Sequence, residues 1–435
     1  MLNRRKFQRM SDTLCNYPFR HLYVETNGHQ KLCCMPNEFI EKNDGYRHFK
    51  MTDGLVSGWN SDYMKQVRIN MLKGNKVSAC KKCYTLEANG QQSLRMAAGQ
   101  INETVQQKYI SKCAPDGTME TMPDDIELHF GNVCNLKCRM CSHKFSHSIG
   151  KELLEIKKDD PTFFQWIQKQ GGNVNNWSTG DLSEKYEWFK DKNVLKKVFE
   201  DIHNHVKSLR IIGGEPTVIP EFWELFEYLS SRGSLKDKKI NITTNGTNTN
   251  PKMLRWFKEA GKIEIMFSLD ALGPRNRYIR YPSDWDTLMR NLDIYKKISE
   301  SNTNSIRYFI AVTPQILNVD QLTELCLHFE KVGHYVDINP DVVSPRILDF
   351  NYFPLEYKKK VIEKLQTGLD KVKSKKNVSR IQSIINTLKT DFDHKEIERN
   401  SKDFVKYNDF LDKFRKTDSW RELLPDLEKI LDKKL

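Results

Sequence analysis

From Asp125 onward the chain alternates strand-like and helix-like runs six times, and this alternation constrains the fold more than any other feature. Strands are predicted at Ile126–Phe130, Ser208–Ile212, Lys239–Thr244, Ile263–Ser268, Ile306–Val312 and Tyr335–Asn339. Between them lie one-sided apolar patterns. Phe222, Leu225, Phe226 and Leu229 share a face stopped near Gly233, and Met253, Leu254 and Phe257 share one stopped at Gly261. Leu288, Leu292 and Tyr295 mark a third helix, and Leu322, Leu325 and Phe329, with Gly333 as stop, mark a fourth. Strands joined by crossovers long enough to hold a helix pair in parallel. Six such units in series predict a partial (β/α)6 TIM-like barrel rather than a closed eight, with functional residues at the carboxyl ends of the strands.

The flanks read differently. Cys15 and Cys33 flank an alternating stretch, Phe19–Thr26, that turns at Asn27-Gly28 and resumes at Lys31-Leu32, which predicts a hairpin. A helix is predicted over Ser61–Leu72, with Met64, Val67 and Met71 on one face and Gly74 as stop, leading to Cys80 and Cys83. The chain thus divides into a small cysteine-rich hairpin/helix module (1–90), a polar connector (91–124), the α/β barrel (125–345) and a helical C-terminal extension (346–435). Within the extension, Val361, Leu365, Leu369 and Val372 are expected on one helical face, Ile381, Ile384, Ile385 and Leu388 on a second, and Phe404, Tyr407, Leu411 and Phe414 on a third. The crossover between Cys141 and Ser208 is oversized, with an insert at about 145–200 that holds Trp166, Trp177, Trp188 and a Gly/Asn stretch at 171–176. A loop of that length reads as a lid or binding insert, or as packing laid over the sheet.

The chemistry concentrates at predicted strand ends. Directly after the first strand come Cys134, Cys138 and Cys141, spaced C-x3-C-x2-C on one short loop. Three thiolates so placed can hold three irons of a cubane cluster and leave the fourth iron open to a small molecule. Zinc is the alternative, although zinc motifs more often pair C-x2-C with a distant second pair. Cys15, Cys33, Cys80 and Cys83 make a full set of four, which suits a closed 4Fe–4S cluster or a structural zinc equally; Cys34 beside Cys33 leaves the ligand choice open by one position. Gly213-Gly214-Glu215-Pro216 follows the second strand, where two glycines let the backbone approach a ligand closely and Glu215 offers a carboxylate to an ammonium group. Thr243-Thr244-Asn245-Gly246 and then Ser268 and Asp270 end the next two strands, suited to ribose hydroxyls or to plain turn chemistry. Asp270, Cys113, Tyr278 and Arg280 are candidates for a general acid or base, none singled out.

These residues together resemble the radical S-adenosylmethionine enzymes. "CNLKCRMC" matches the family's cysteine signature, "GGEP" its element that contacts the methionine amino group, and "TTNG" and "SLD" the stretches that line its cofactor pocket. The resemblance covers about residues 125–341. It implies that Cys134, Cys138 and Cys141 bind a 4Fe–4S cluster whose open iron chelates S-adenosylmethionine. Met140, Gly213, Gly214, Glu215, Pro216, Thr244, Asn245, Ser268 and Asp270 would then contact the cofactor. Met140 stands where family members usually carry an aromatic residue against adenine. One electron would cleave the sulfonium bond to a 5′-deoxyadenosyl radical, which abstracts hydrogen from substrate. The first ninety residues are similar to the auxiliary-cluster modules called twitch or SPASM, through Cys15, Gly28, Cys33, Cys80 and Cys83. That likeness implies a second 4Fe–4S cluster, in a module that here precedes the core rather than following it. Relatives imply a peptide or protein substrate modified as by a maturase, with a flavodoxin- or ferredoxin-like electron donor. The other readings are a small-molecule dehydrogenase and a non-catalytic, metal-stabilised binding protein.

Composition limits the setting. With 70 Lys and Arg against 57 Asp and Glu, the net charge is +13, which suits an anionic partner or a solvated lysine-rich surface. The surface reading is favoured over nucleic acid, because aromatic residues of the C-terminal helices fall on apolar stripes rather than among the lysines. No run reaches the ~18 apolar residues of a membrane span. The basic start, Met1–Arg9, leads into no apolar segment of a secretory signal. Ten cysteines without such a signal predict a reducing, cytoplasmic setting in which thiols serve as metal ligands.

Overall fold

The computed structural model describes residues 13–44, 47–90, 92–99, 103–170, 185–301, 305–339, 345–390 and 392–433; the Gly/Asn stretch at 171–176 and Trp177 fall outside them. The chain enters through a short turn of helix, α1 (Tyr17–Arg20), into β1 (His21–Val24), which turns back antiparallel as β2 (Gln30–Lys31). Gly28 makes this turn at φ +82°, with Met51 and the Trp188 ring closing on the place where a Cβ would stand. There follow α2 (Asp62–Leu72), α3 (Lys81–Ala88), α4 (Leu94–Gly99) and α5 (Glu103–Ile110). The stretch expected as a polar connector therefore carries two helices. Arg95 of α4 reaches back to Glu87 and to the Leu14 carbonyl.

The core strands are β3 (Asp125–His129), β4 (Ser208–Ile212), β5 (Lys239–Thr244), β6 (Lys262–Ser268), β7 (Ile306–Val312) and β8 (Val336–Ile338). They lie parallel and in sequence order, the winding of a barrel that does not double back. The hairpin joins the same sheet. β1 pairs parallel with β3, His21 opposite Asp125, so the sheet has eight strands in the order β2-β1-β3-β4-β5-β6-β7-β8. Crossing the sheet are α6 (His147–Asp159), α7 (Pro161–Gln170) and α8 (Lys192–His205) after β3, and α9 (Pro220–Ser231) after β4. Next come α10 (Met253–Glu259) after β5, α11 (Gly273–Ile279) and α12 (Trp285–Ser301) after β6, and α13 (Leu322–Lys331) after β7.

Alternation along each strand gives the sheet two unlike faces. Ile126, Leu128, Leu209, Ile211, Ile240, Ile242, Ile263, Ile265 and Phe267 are buried in the main core. The intervening positions fall into register as one transverse row, Tyr23–Glu127–Arg210–Asn241–Glu264–Arg307. Arg210 donates to Glu127 at 3.0 Å. A closed barrel fills its interior with Val, Ile and Leu; an alternating row of charges belongs on a surface that water and a polar ligand can reach.

The extension comprises α14 (Leu355–Gln366), α15 (Lys375–Leu388), α16 (His394–Arg415), α17 (Trp420–Leu423) and α18 (Pro425–Leu431). The first helix is shorter than its pattern predicts. It ends at Gln366, and Gly368 follows at φ +77°, the left-handed position that stops a helix, so Leu369 and Val372 lie beyond it. α15 closes the edge strand: Asn377 donates to the Val336 carbonyl at 2.8 Å and accepts from the Ile338 amide at 3.3 Å, as a neighbouring strand would. α16 packs on the insert, with Phe410 stacked on Phe163 and Lys406 over the Trp166 ring. The described part of the insert is thus built into the body. Among the described residues, no helix is long and apolar enough to cross a membrane.

Candidate functional site

The C-x3-C-x2-C loop follows β3 at the carboxyl rim of the sheet. The start of α6 holds it. Ser146 caps that helix while its hydroxyl donates to the Leu136 carbonyl at 2.7 Å, and Ser148 donates to the Cys134 carbonyl at 2.7 Å. The Cys134 amide donates to His147 Nδ1 at 3.0 Å. On the other side the loop backbone pairs with the segment after α11: Lys137 N donates to Tyr281 O at 2.5 Å and Arg139 N to Ile279 O at 2.9 Å. Cys134 and Cys138 are buried around Leu136, with Met140 and Cys141 half-buried against them.

Burial pushes all three thiols up, Cys141 to about 12, and Cys134 is raised further by Cys138 and Cys141. Burial also raises Cys138, and Arg280 partly offsets this. Thiols so placed become thiolates where a cation stands to take them, which is the donor chemistry that iron uses. Among the described residues, no three His, Cys, Asp or Glu side chains meet where a single ion would sit. A cubane does not require that, because each thiolate takes its own iron.

The GGEP turn packs against the backbone that leads into the thiol loop. A Cβ on Gly214 would stand 2.2 Å from the Val133 carbonyl oxygen, and one on Gly213 2.8 Å from Gly131 O and Phe130 N. What the two glycines approach closely is therefore the backbone leading into the thiol loop, to which Gly214 N and Glu215 N donate at 2.9 and 2.7 Å. Glu215 is buried, and its carboxylate already accepts from Thr217 N, Thr217 Oγ1, Thr244 Oγ1 and Asn245 N at 2.5–3.0 Å. Burial nevertheless raises its pKa. The carboxylate expected to meet an ammonium group ties the ends of β4 and β5 together. Pro216, also buried, opens the short turn that carries Thr217.

Thr244 and Asn245 are also spent on the frame. Asn245 Nδ2 donates to Asn135 Oδ1 at 2.9 Å and stands 3.9 Å from Cys134 Sγ. Gly246, at φ +74°, leaves room for the Phe267 ring. Ser268 ends β6 half-buried, opposite Ala311. Asp270 is fully buried, accepting from Thr313 N at 2.9 Å and paired with Arg280 at 2.8 Å. Arg280 is the cation set beside Cys138 and Cys141. Tyr278 is buried and donates to Asp412 at 3.2 Å, and Cys113 stands half-buried in a turn near Arg68.

In the N-terminal part, Cys15, Cys33, Cys80 and Cys83 line one small cavity with Tyr17, Leu32 and Arg95. Cys34 is exposed and is not among its walls. Burial pushes Cys15 to about 12 and Cys80 to about 11, and Cys83 raises both further. Cys15 precedes β1, whose first residue lies opposite the first residue of β3, whereas Cys134 follows the last. The two thiol groups therefore approach the sheet from opposite ends of β3, a strand roughly 13 Å long.

Several residues around the loop carried no sequence signal of their own. Asn408, Asp412 and Arg415 come from α16, more than 260 positions away, and Glu152 from α6. Only Arg139, inside the cysteine motif, stood where a reader would look.

A parallel, singly wound partial barrel with three thiols at the carboxyl rim of its first core strand defines a class of cluster-binding barrels. Residues 128–314 match the Radical SAM superfamily. A match to that family implies a 4Fe–4S cluster and S-adenosylmethionine. Mycofactocin maturase MftC of Mycolicibacterium smegmatis is 29% identical over 140 residues, 32% of this chain and 33% of that one. GTP 3′,8-cyclase of Mannheimia succiniciproducens is 38% identical over 72 residues, 17% of this chain and 20% of that one. The chain thus spans about a third and a fifth of these curated relatives. Among solved structures, Streptococcus suis SuiB bound to S-adenosylmethionine aligns at 15% identity and a TM-score of 0.36, over 72% of this chain and 64% of that one.

Proposed function

We propose that the protein is a radical S-adenosylmethionine enzyme that abstracts hydrogen from a peptide or protein side chain, in the manner of a maturase. The observation that carries this reading is the three-thiol loop at the carboxyl rim of a sheet, one face of which bears a row of charges rather than a packed core. When bound, the cluster and S-adenosylmethionine supply a 5′-deoxyadenosyl radical. Cys134, Cys138 and Cys141 would hold the cluster, and Arg280 would offset the negative charge gathered there. Met140 offers a soft apolar side chain beside the loop. Ser268 and the row beneath it, Glu127, Arg210, Asn241, Glu264 and Arg307, would seat the polar parts of cofactor and substrate. Glu215, Thr244, Asn245 and Asp270 act as its frame, keeping the strand ends and the loop in register.

The same reading assigns Cys15, Cys33, Cys80 and Cys83 to a second 4Fe–4S cluster in an auxiliary module at 1–90, with the barrel at 125–345. A substrate on the charged face would then lie between two redox sites at opposite ends of β3. A one-electron donor such as a flavodoxin or ferredoxin is required. The relative named a maturase supports the choice of substrate, and the cavity shared by four thiols supports the second cluster.

Anaerobic purification with iron and sulfide analysis tests the reading. We expect a brown protein that releases 5′-deoxyadenosine from S-adenosylmethionine under strong reductant, and loss of that release in Cys138→Ala. Zinc in place of iron, or undiminished release by the variant, would overturn the cluster assignment. Comparing peptides from cells with and without the protein would then identify the substrate.

A further inference from the structure

The thiol loop is gripped by an element outside the matched radical SAM segment. Arg139, between Cys138 and Cys141, is fully buried. Its Nη1 donates to Asn408 at 2.7 Å and its Nη2 to Asp412 at 2.5 Å, both on α16; its Nε donates to the Tyr278 carbonyl at 3.2 Å. The guanidinium also stacks 3.6 Å from the Tyr278 ring centre, and the Tyr278 hydroxyl donates to Asp412. A second clamp lies beside the first. Arg415, at the end of α16, donates twice to the buried Glu152 carboxylate, at 2.6 and 3.0 Å, and Lys137 of the loop donates to the same carboxylate at 3.1 Å. Both basic side chains of the thiol loop are thus committed to one network that includes the end of α16.

A buried ion pair is a weak means of adding stability, since an apolar pair of similar volume does as well or better. What a forked, stacked guanidinium adds is direction: it fixes the position and rotation of its own backbone, which an oily contact does not. We propose that α16 is the brace that sets the position of the thiol loop, with Arg139 and Asp412 as its positioning pair. The C-terminal extension is then part of the redox site although it holds no ligand. This inference takes from the radical SAM reading only what the loop holds; the brace itself is a property of the metal-free chain.

The test is the full-length Arg139→Met/Asp412→Leu variant, which removes both charges together, so that neither is left buried without its counter-ion, although the Trp420 amide loses the Asp412 carboxylate it donates to at 2.9 Å. In metal-free protein its circular dichroism should match that of the parent. Amide exchange at Lys137 and Arg139 should speed up about ten-fold or more, with the middle of α16 unchanged. After reconstitution, adding S-adenosylmethionine should no longer shift the electron paramagnetic resonance signal of the reduced cluster as it does in the parent. A folded variant whose loop amides exchange within about two-fold of the parent overturns the brace. If the double variant does not fold, the isosteric Asp412→Asn decides on the same amides: faster exchange supports the brace and unchanged exchange overturns it. A parent protein that takes up no iron would count against the radical SAM reading, while the exchange comparison would still decide the brace.

Discussion

Single residues at the rim act through shape more than through the chemistry their types suggest. Gly214 is glycine because the Val133 carbonyl occupies the space of a Cβ. We expect Gly214→Ala to force the thiol loop outward, costing about 1–3 kcal/mol in thermal unfolding and lowering iron uptake on reconstitution. Glu215 shows the same preference for frame over ligand. Four donors from three residues converge on it, so its buried charge is solvated by protein rather than by water. Cys33 and Cys34 are neighbours in sequence with opposite fates, because only Cys33 faces the cavity shared with Cys15, Cys80 and Cys83.

At the scale of elements, the seams between strands and helices carry the informative pairs. β1 is joined to β3 at His21–Asp125, 2.8 Å apart. Burial alone would raise Asp125, but His21, Ser208 and Arg20 hold it down at about 2, below the usual 3.8. A depressed carboxyl contributes stability that is present above about pH 4 and lost as pH falls through 2. Asp125→Asn should therefore lower the unfolding free energy from urea titration at pH 7 by on the order of 2 kcal/mol, and the gap from the parent should close near pH 2. The far edge depends on Asn377, whose amide stands in for a strand beside β8. Asn377→Leu would leave a buried carbonyl and a buried amide without that partner, at a cost of about 1–3 kcal/mol. Hydrogen exchange confined to Val336–Ile338 is the measurement that checks it.

Across the whole molecule, one sheet connects two thiol sites. The N-terminal hairpin extends the barrel sheet past β3, and α16 returns from the far end of the chain to the loop that follows the same strand. If both sites hold 4Fe–4S clusters, the intact protein binds about eight irons per chain, and Cys80→Ala/Cys83→Ala should bring this to about four. Binding of S-adenosylmethionine, read by equilibrium dialysis, should survive that change. Loss of all iron in the variant would mean that the two sites fold as one unit.

Much of this was legible in the chain because it is local. The boundaries of β4, β5 and β7 follow from their apolar alternation, α9, α10 and α13 from one-sided stripes ended by glycine, and α12 from its stripe alone. The C-x3-C-x2-C loop was readable because its three thiols lie on one short stretch, Cys134 to Cys141, directly after a strand. The exception among the helices, α14, ended early because the left-handed Gly368 outweighed a stripe that still looked continuous. What tertiary structure alone decided is long-range. Nothing in His21 announces a partner at Asp125, and nothing in Asp412 announces Arg139, since such pairs form between separately patterned segments whose contact depends on how the sheet curves and where the last helices return. Periodicity and spacing determined the barrel and its thiols; which strand the hairpin extends, which cysteine faces the second cavity, and what holds the loop still were settled by packing.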